Sequence, residues 1–143
     1  MKKKRINEMT LTFPSDSRNE RFARSAVTAF VAQLDPDTEE LADIRTAVSE
    51  AVTNCVIHAY PQTVGPITVS TRLFDDRTVR IRVKDHGCGI ADVAQARQPI
   101  FTTDPGGERG GMGFAIMESF SDTLTVRSQP GRGTTVTMTR RLS

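Results

Sequence analysis

Long apolar runs are missing from this chain. Nothing approaches the roughly 18 consecutive apolar residues that a membrane-spanning helix needs. The basic start, Met1-Lys2-Lys3-Lys4-Arg5, has no apolar segment behind it and does not read as a secretory signal. Cysteine is scarce. Cys55 falls on a helical stripe and Cys88 in a glycine loop, so neither a disulfide nor a zinc site is expected, and a reducing cytoplasm fits. The two histidines, His58 and His86, lack partners at metal-ligand spacing. The net charge of +2 is too small to argue for nucleic acid, and the basic cluster at residues 2–5 reads as a solvated tail. Internal repeats and interdomain linkers are also absent. So are the Walker A lysine motif and the H-R-D loop, which disfavours P-loop and ordinary eukaryotic-type kinase chemistry.

What is present describes one globular domain over residues 1–143, with 37% hydrophobic and 25% charged residues. Met9-Thr10-Leu11-Thr12-Phe13 alternates as a short strand that Pro14 ends. Ser15-Asp16-Ser17 offers caps for a helix reaching about Leu34. Its expected apolar stripe is Phe22, Ala26, Val27, Phe30, Val31 and Leu34; its other face carries Arg18, Glu20, Arg21, Arg24 and Gln33. Asp35-Pro36-Asp37 breaks that helix. Asp37 with Glu40 then caps a second one, from about Thr38 to Ala59, which Pro61 closes.

Next comes a hairpin. Ile67, Val69 and Thr71 alternate with polar residues, the chain turns near Asp75-Asp76-Arg77, and Val79, Ile81 and Val83 alternate again. A short helical piece is expected around Ala91–Ala96. Residues 98–111 have the composition of a long mobile loop, and loops of that length are usually functional or disordered. Gly111-Met112-Gly113 opens a helix through Phe120. Two last strands, Thr123–Ser128 and Thr134–Arg140, are joined at Pro130-Gly131-Arg132-Gly133. This order predicts an α+β fold: a mixed, mostly antiparallel sheet with helices on one face and a polar opposite face.

Glu50 and Asn54 share one face of the second helix, beside the stripe Ile44, Val48, Ala51, Val52 and Cys55. Alone, that pair reads first as a solvated helix face, the ordinary amphipathic case, and only second as a base and a metal ligand aimed into a pocket. The glycines add to it. Asp85 ends a strand and is followed by Gly87 and Gly89; Gly111 and Gly113 open a helix; Gly133 precedes Thr134. Each is a turn signal on its own. Together they describe a nucleotide pocket. Asp85 would accept from an exocyclic amine of a base, and Gly87 and Gly89 would let the backbone approach the ring. The Gly111–Gly113 amides would meet phosphate at a helix N-terminus. Asn54 would offer an oxygen to Mg²⁺, and Glu50 would face the terminal phosphate.

In this order and rough spacing, Glu50-x-x-x-Asn54, Asp85-x-Gly87-x-Gly89, Gly111-x-Gly113 and Gly133-Thr134 resemble the N, G1, G2 and G3 boxes of the GHKL ATPase/kinase superfamily. The segment Arg109-Gly110-Gly111-Met112-Gly113-Phe114-Ala115-Ile116-Met117-Glu118-Ser119-Phe120 is similar to the anti-sigma F branch, found in spore-forming bacteria. The resemblance implies a Bergerat ATP-binding fold with ATP or ADP and Mg²⁺ as ligands. It implies a serine/threonine protein kinase that inhibits a sporulation sigma factor and phosphorylates its anti-anti-sigma antagonist. It also implies a cytoplasmic homodimer with no direct nucleic-acid or membrane contact. By residue, Asp85 would contact the adenine amine near Gly89 and Thr134, Asn54 would ligate Mg²⁺, and Glu50 would take or orient the proton of the attacking serine. Arg109 would meet the γ-phosphate, and Glu20 and Arg24 would contribute to partner docking. A switch kinase for another sigma factor would keep every box. The ATPase domain of a histidine kinase would need a phosphoacceptor histidine on a dimerising hairpin, and residues 17–34 hold none. A module that uses ATP only to lock its shape would not need Glu50.

Overall fold

A computed structural model of the chain describes residues 3–90, 93 and 113–143. Five strands form one sheet in the order β1-β2-β3-β5-β4. They are β1 (Arg5–Pro14), β2 (Pro66–Phe74), β3 (Thr78–Asp85), β4 (Thr123–Gln129) and β5 (Gly133–Arg141). The expected mostly antiparallel sheet is antiparallel at every pairing among the described residues. Helices α1 (Arg18–Val31), α2 (Thr38–Asn54) and α3 (Gly113–Ser119) cover one face.

Alternation along the strands fixes which face is covered. Ile67, Val69, Thr71 and Leu73 of β2 and Val79, Ile81 and Val83 of β3 point into the core, while Ser70, Arg72, Arg80, Arg82 and Lys84 line the open face. β1 runs longer than its alternation suggested, because its pairing with β2 extends out to Arg5 opposite Phe74. The β2–β3 turn sits where expected, with Arg77 at a φ of 70°.

The two long helices differ in how they begin. Asp37 and Glu40 form a reciprocal cap at α2: the Asp37 carboxylate accepts from the Glu40 amide at 2.7 Å, and Glu40 accepts from the Asp37 amide at 3.0 Å. At α1, Ser17 makes no side-chain cap; Asp16 accepts from the Arg18 amide at 2.9 Å instead. The buried side of α1 is Ala23, Val27, Thr28 and Val31. Phe22 lies about 100° round the helix from Ala23, outside that arc, and is 59% exposed. Glu20 and Arg24 flank the buried side and are half-buried, not on the open face with Arg18, Arg21 and Gln33. α2 carries the expected stripe: Ile44, Ala47, Val48, Ala51 and Val52 are all buried. Its β-branched residues cost a few tenths of a kcal/mol each in helix propensity. Burying each Val or Ile contributes about 1.5–3 kcal/mol, so packing decides.

Candidate functional site

After Asn54, α2 winds into a π-helical segment, Cys55–Ala59, and leaves the helix at Tyr60. Single π turns inside helices often mark functional sites. Glu50 and Asn54 are half-buried, one turn apart on the same side. The first residue of α3 sits directly against Asn54. A Cβ built on Gly113 would stand 2.9 Å from Asn54 Nδ2 and 3.0 Å from Oδ1. Two of the expected boxes, widely separated in sequence, therefore touch.

Asp85 closes β3 and is only 5% exposed. Its Oδ1 accepts from the amides of Gly87 at 2.9 Å and Thr134 at 3.2 Å. The Cys55 thiol donates to Oδ2 at 3.5 Å. A carboxylate offers about four acceptor positions, so these three bonds from described residues leave one for an outside donor. Burial, and then the negative charge of Asp85, pushes the Cys55 thiol well above its ordinary pKa, so it stays a donor.

The glycines fit backbone against backbone. A Cβ on Gly87 would stand 2.2 Å from the Ala59 carbonyl oxygen. Gly133, at a φ of 116°, lies against Asp85, and a Cβ there would stand 2.2 Å from its carbonyl oxygen. Gly89 packs on the Gln129 carbonyl at the β4–β5 turn. The Gly131 amide donates to the Cys88 carbonyl at 2.7 Å. The loop after β3 thus rests on the end of α2 at one side and on the β4–β5 turn at the other.

Three residues outside the motif reading hold this arrangement. Ser128 Oγ accepts from the Ile90 amide at 2.7 Å, donates to the Gly133 carbonyl at 3.0 Å and lies 2.8 Å from the Thr134 hydroxyl. Tyr60 bonds the His86 amide through its hydroxyl, and burial raises its phenol pKa. Cys55 contacts Asp85. For Ser128 and Cys55 no sequence signal stood out, because a strand serine and a helix-stripe cysteine are ordinary. Tyr60 offered one hint, as the single tyrosine of the chain.

Gly113 meets Asn54, and Asp85 meets Gly87 and Thr134. Cys55, next to Asn54, joins the two through its bond to Asp85, Gly89 packs on the β4–β5 turn, and Glu50 stands one helical turn from Asn54. Arg109 and Gly111 lie outside the described residues, as does the expected loop at 98–111. Of the helical piece expected at Ala91–Ala96, only Val93 is described, and it is helical. Glu20 and Arg24 pair at 3.8 Å on α1. Among the described residues, no group of three His, Cys, Asp or Glu side chains gathers as a metal site. A magnesium ion that keeps several waters and binds substrate phosphates needs few protein oxygens.

The family described as the histidine kinase-like ATPase domain matches residues 13–140. The chain is similar to the anti-sigma F factor of Caldanaerobacter subterraneus subsp. tengcongensis, with 56% identity over 94% of this chain and 93% of that protein. It is 50% identical to the anti-sigma F factor of Bacillus subtilis, over 96% of this chain and 94% of that protein. Among solved structures, the RsbU and RsbW domains of a Mycobacterium tuberculosis protein match with a TM-score of 0.70 at 27% identity. That match covers 96% of this chain and 32% of the longer one.

Proposed function

This chain belongs to the histidine kinase-like ATPase family and, within it, to the anti-sigma F factors, and on that premise we propose that it is an ATP-dependent serine/threonine protein kinase. In this reading it binds and inhibits a sporulation sigma factor of the sigma F type. It phosphorylates a serine of the anti-anti-sigma antagonist and works as a cytoplasmic homodimer of single-domain chains spanning residues 1–143. No helix among the described residues is long and apolar enough to cross a membrane.

The observation that carries the nucleotide assignment is Asp85. It is a nearly enclosed carboxylate, held by the amides of Gly87 and Thr134 and the Cys55 thiol, which leaves one acceptor position among the described residues. An exocyclic amine of a flat base suits that position. Glycines at 87 and 133 let the loop after β3 and the β4–β5 turn close against the Ala59 and Asp85 carbonyls, which fixes the backbone around Asp85, and Gly113 leaves the Asn54 amide in place. These residues fit an adenine nucleotide.

Asp85 would bind the amine, with the Gly87–Gly89 backbone and Thr134 beside the base. Asn54 would hold Mg²⁺ through Oδ1, and the amides of Gly111 and Gly113 would meet the phosphates. When bound, the nucleotide supplies the γ-phosphoryl group. Glu50, one turn before Asn54, takes or orients the proton of the attacking serine hydroxyl. Arg109 neutralises charge on the transferring group, a contribution worth on the order of 10³-fold in related chemistry.

The test is phosphotransfer from γ-labelled ATP with Mg²⁺, with and without the anti-anti-sigma protein of the same organism. Acid-stable label on a partner serine, lost in Glu50→Gln, is the expected result. Label on a histidine of this chain, or ATP binding without transfer to the partner, would overturn the kinase assignment.

A further inference from the structure

Tyr60 stands where the π-helical segment ends, and it is 7% exposed. Among the described residues its hydroxyl makes two bonds, both to backbone. It donates to the Pro66 carbonyl at 2.8 Å and accepts from the His86 amide at 2.7 Å. Gly65 lies flat against its ring: a Cβ there would stand 2.2 Å from Cε1. The ring is therefore held on one side and the hydroxyl is aimed at the residue between Asp85 and Gly87.

The neighbours of Tyr60 act on the same loop. The Ala59 carbonyl accepts from the Cys88 amide at 3.1 Å, and the His58 carbonyl accepts from the Cys88 thiol at 3.0 Å. Three consecutive residues, 58–60, thus hold residues 86 and 88. The same stretch continues the helix that carries Glu50 and Asn54. The extra residue of a π turn rotates all later positions by about 100° relative to an unbroken α-helix. That rotation sets which way Tyr60 and the last carbonyls point.

The amides of His86 and Gly87 are consecutive. One donates to Tyr60 and the other to the Asp85 carboxylate at 2.9 Å. Removing the phenolic hydroxyl strands the His86 amide, and the turn is then free to rotate toward water. Gly87 turns with it and releases Asp85 Oδ1.

We propose that Tyr60 is a positioning residue for base recognition: its hydroxyl fixes the Asp85–Gly87 turn and so sets the carboxylate that selects a purine bearing an amine. This rests on the assignment of Asp85 to the base amine.

The experiment compares the unsubstituted chain, Tyr60→Phe and Asp85→Asn. The probes are ATP and inosine triphosphate, which carries a carbonyl in place of the amine, each with Mg²⁺. The readouts are nucleotide affinity and the KM and kcat of phosphotransfer. Tyr60→Phe keeps the ring packed on Gly65. Its KM for ATP should rise about tenfold, as for loss of one buried hydrogen bond, with kcat at saturating ATP within about twofold. Its preference for ATP over inosine triphosphate should shrink by the same factor. A variant with lowered stability but unchanged preference would overturn the positioning role. If Asp85→Asn also keeps the preference, the base assignment itself fails; if only Asp85→Asn loses it, Tyr60 alone fails. Should Tyr60→Phe not fold, hydrogen exchange on the unsubstituted protein decides. The His86 and Gly87 amides must be protected at least about tenfold above open-loop rates, and free exchange at His86 would overturn the proposal.

Discussion

The Asn54 amide fills the space where a side chain on Gly113 would begin: a Cβ there would stand 2.9 Å from Nδ2. This contact joins α2 to α3 at the place assigned to metal and phosphate. Gly113→Ala must push the amide aside, and a side-chain end moves more cheaply than backbone. Stability to urea should therefore stay within about 1 kcal/mol, since alanine is itself favourable in a helix. Affinity for Mg²⁺-ATP should fall at least about tenfold, the usual cost of losing one well-placed polar contact. Asn54→Ala should give a similar loss, and the double variant should be no worse than either. Additive losses, measured by calorimetry, would show that the contact carries nothing.

Much of this was readable from residue pattern, because it depends on local chemistry. Alternation gave the hairpins, helical spacing gave the α2 stripe, and the Asp37–Glu40 pair gave a cap that the structure contains. The convergence of Asn54 with Gly113, and of Asp85 with Thr134, was implied by motif order. What was not readable depends on tertiary packing. The phase of α1 is set by what it packs against, so Phe22 came out exposed and Glu20 half-buried. A π turn has no residue signature of its own, and the tie from Tyr60 to His86 spans two elements. Ser128 serves the site from a strand position that alternation alone describes as ordinary.

The glycines of the β4–β5 turn should separate sharply under substitution. Gly133 combines a φ of 116° with backbone 2.2 Å from any Cβ, and that backbone belongs to Asp85. Gly131 has a φ of 78° and open space around it. Gly131→Ala should cost about 1–2 kcal/mol, the left-handed backbone term alone. Gly133→Ala should cost more than about 4 kcal/mol or fail to fold, because two mechanisms add. Equal midpoints in urea for the two variants would contradict the packing of Asp85 against Gly133.

Acid stability has a traceable contributor in Glu40. Its carboxylate accepts from the backbone amides of Ser143 at 2.7 Å and Asp37 at 3.0 Å. These bonds, the Ser143 one foremost, hold its pKa below the ordinary 4.5. The folded chain thus binds this proton less readily than the unfolded chain. The stabilisation is complete above the unfolded value and is lost as pH falls through the folded one. Glu40→Gln keeps an acceptor and a cap but cannot titrate. It should cost about 1 kcal/mol at pH 7, and the gap from the unsubstituted chain should close as pH falls below the ordinary 4.5 and through the lowered folded value. Asp16 and Asp76, also lowered, titrate in both proteins and cancel from the difference. A gap that stays constant as pH falls well below 4.5, until the chain unfolds, would remove Glu40 as the source.

The proposed partner face on α1 makes the last prediction, and the structure changes how it must be tested. Glu20 and Arg24 pair at 3.8 Å beside the buried side of the helix, and Glu20 Oε1 is enclosed with no hydrogen bond from a described residue. Reversing Arg24 to glutamate would set a second carboxylate next to that oxygen, so lost binding could reflect a disturbed helix. Arg24→Gln avoids the like charge. Phe22, 59% exposed on the outward side, offers a second probe that the fold does not depend on. An exposed aromatic is the kind of residue that anchors a protein interface. Phe22→Ser should leave stability within about 0.5 kcal/mol while weakening sigma or anti-anti-sigma binding about tenfold. Arg24→Gln should weaken the same partners without altering ATP affinity, because α1 contributes none of the residues proposed to hold the nucleotide. If both variants bind both partners as the unsubstituted chain does, the docking surface is not on the first half of α1.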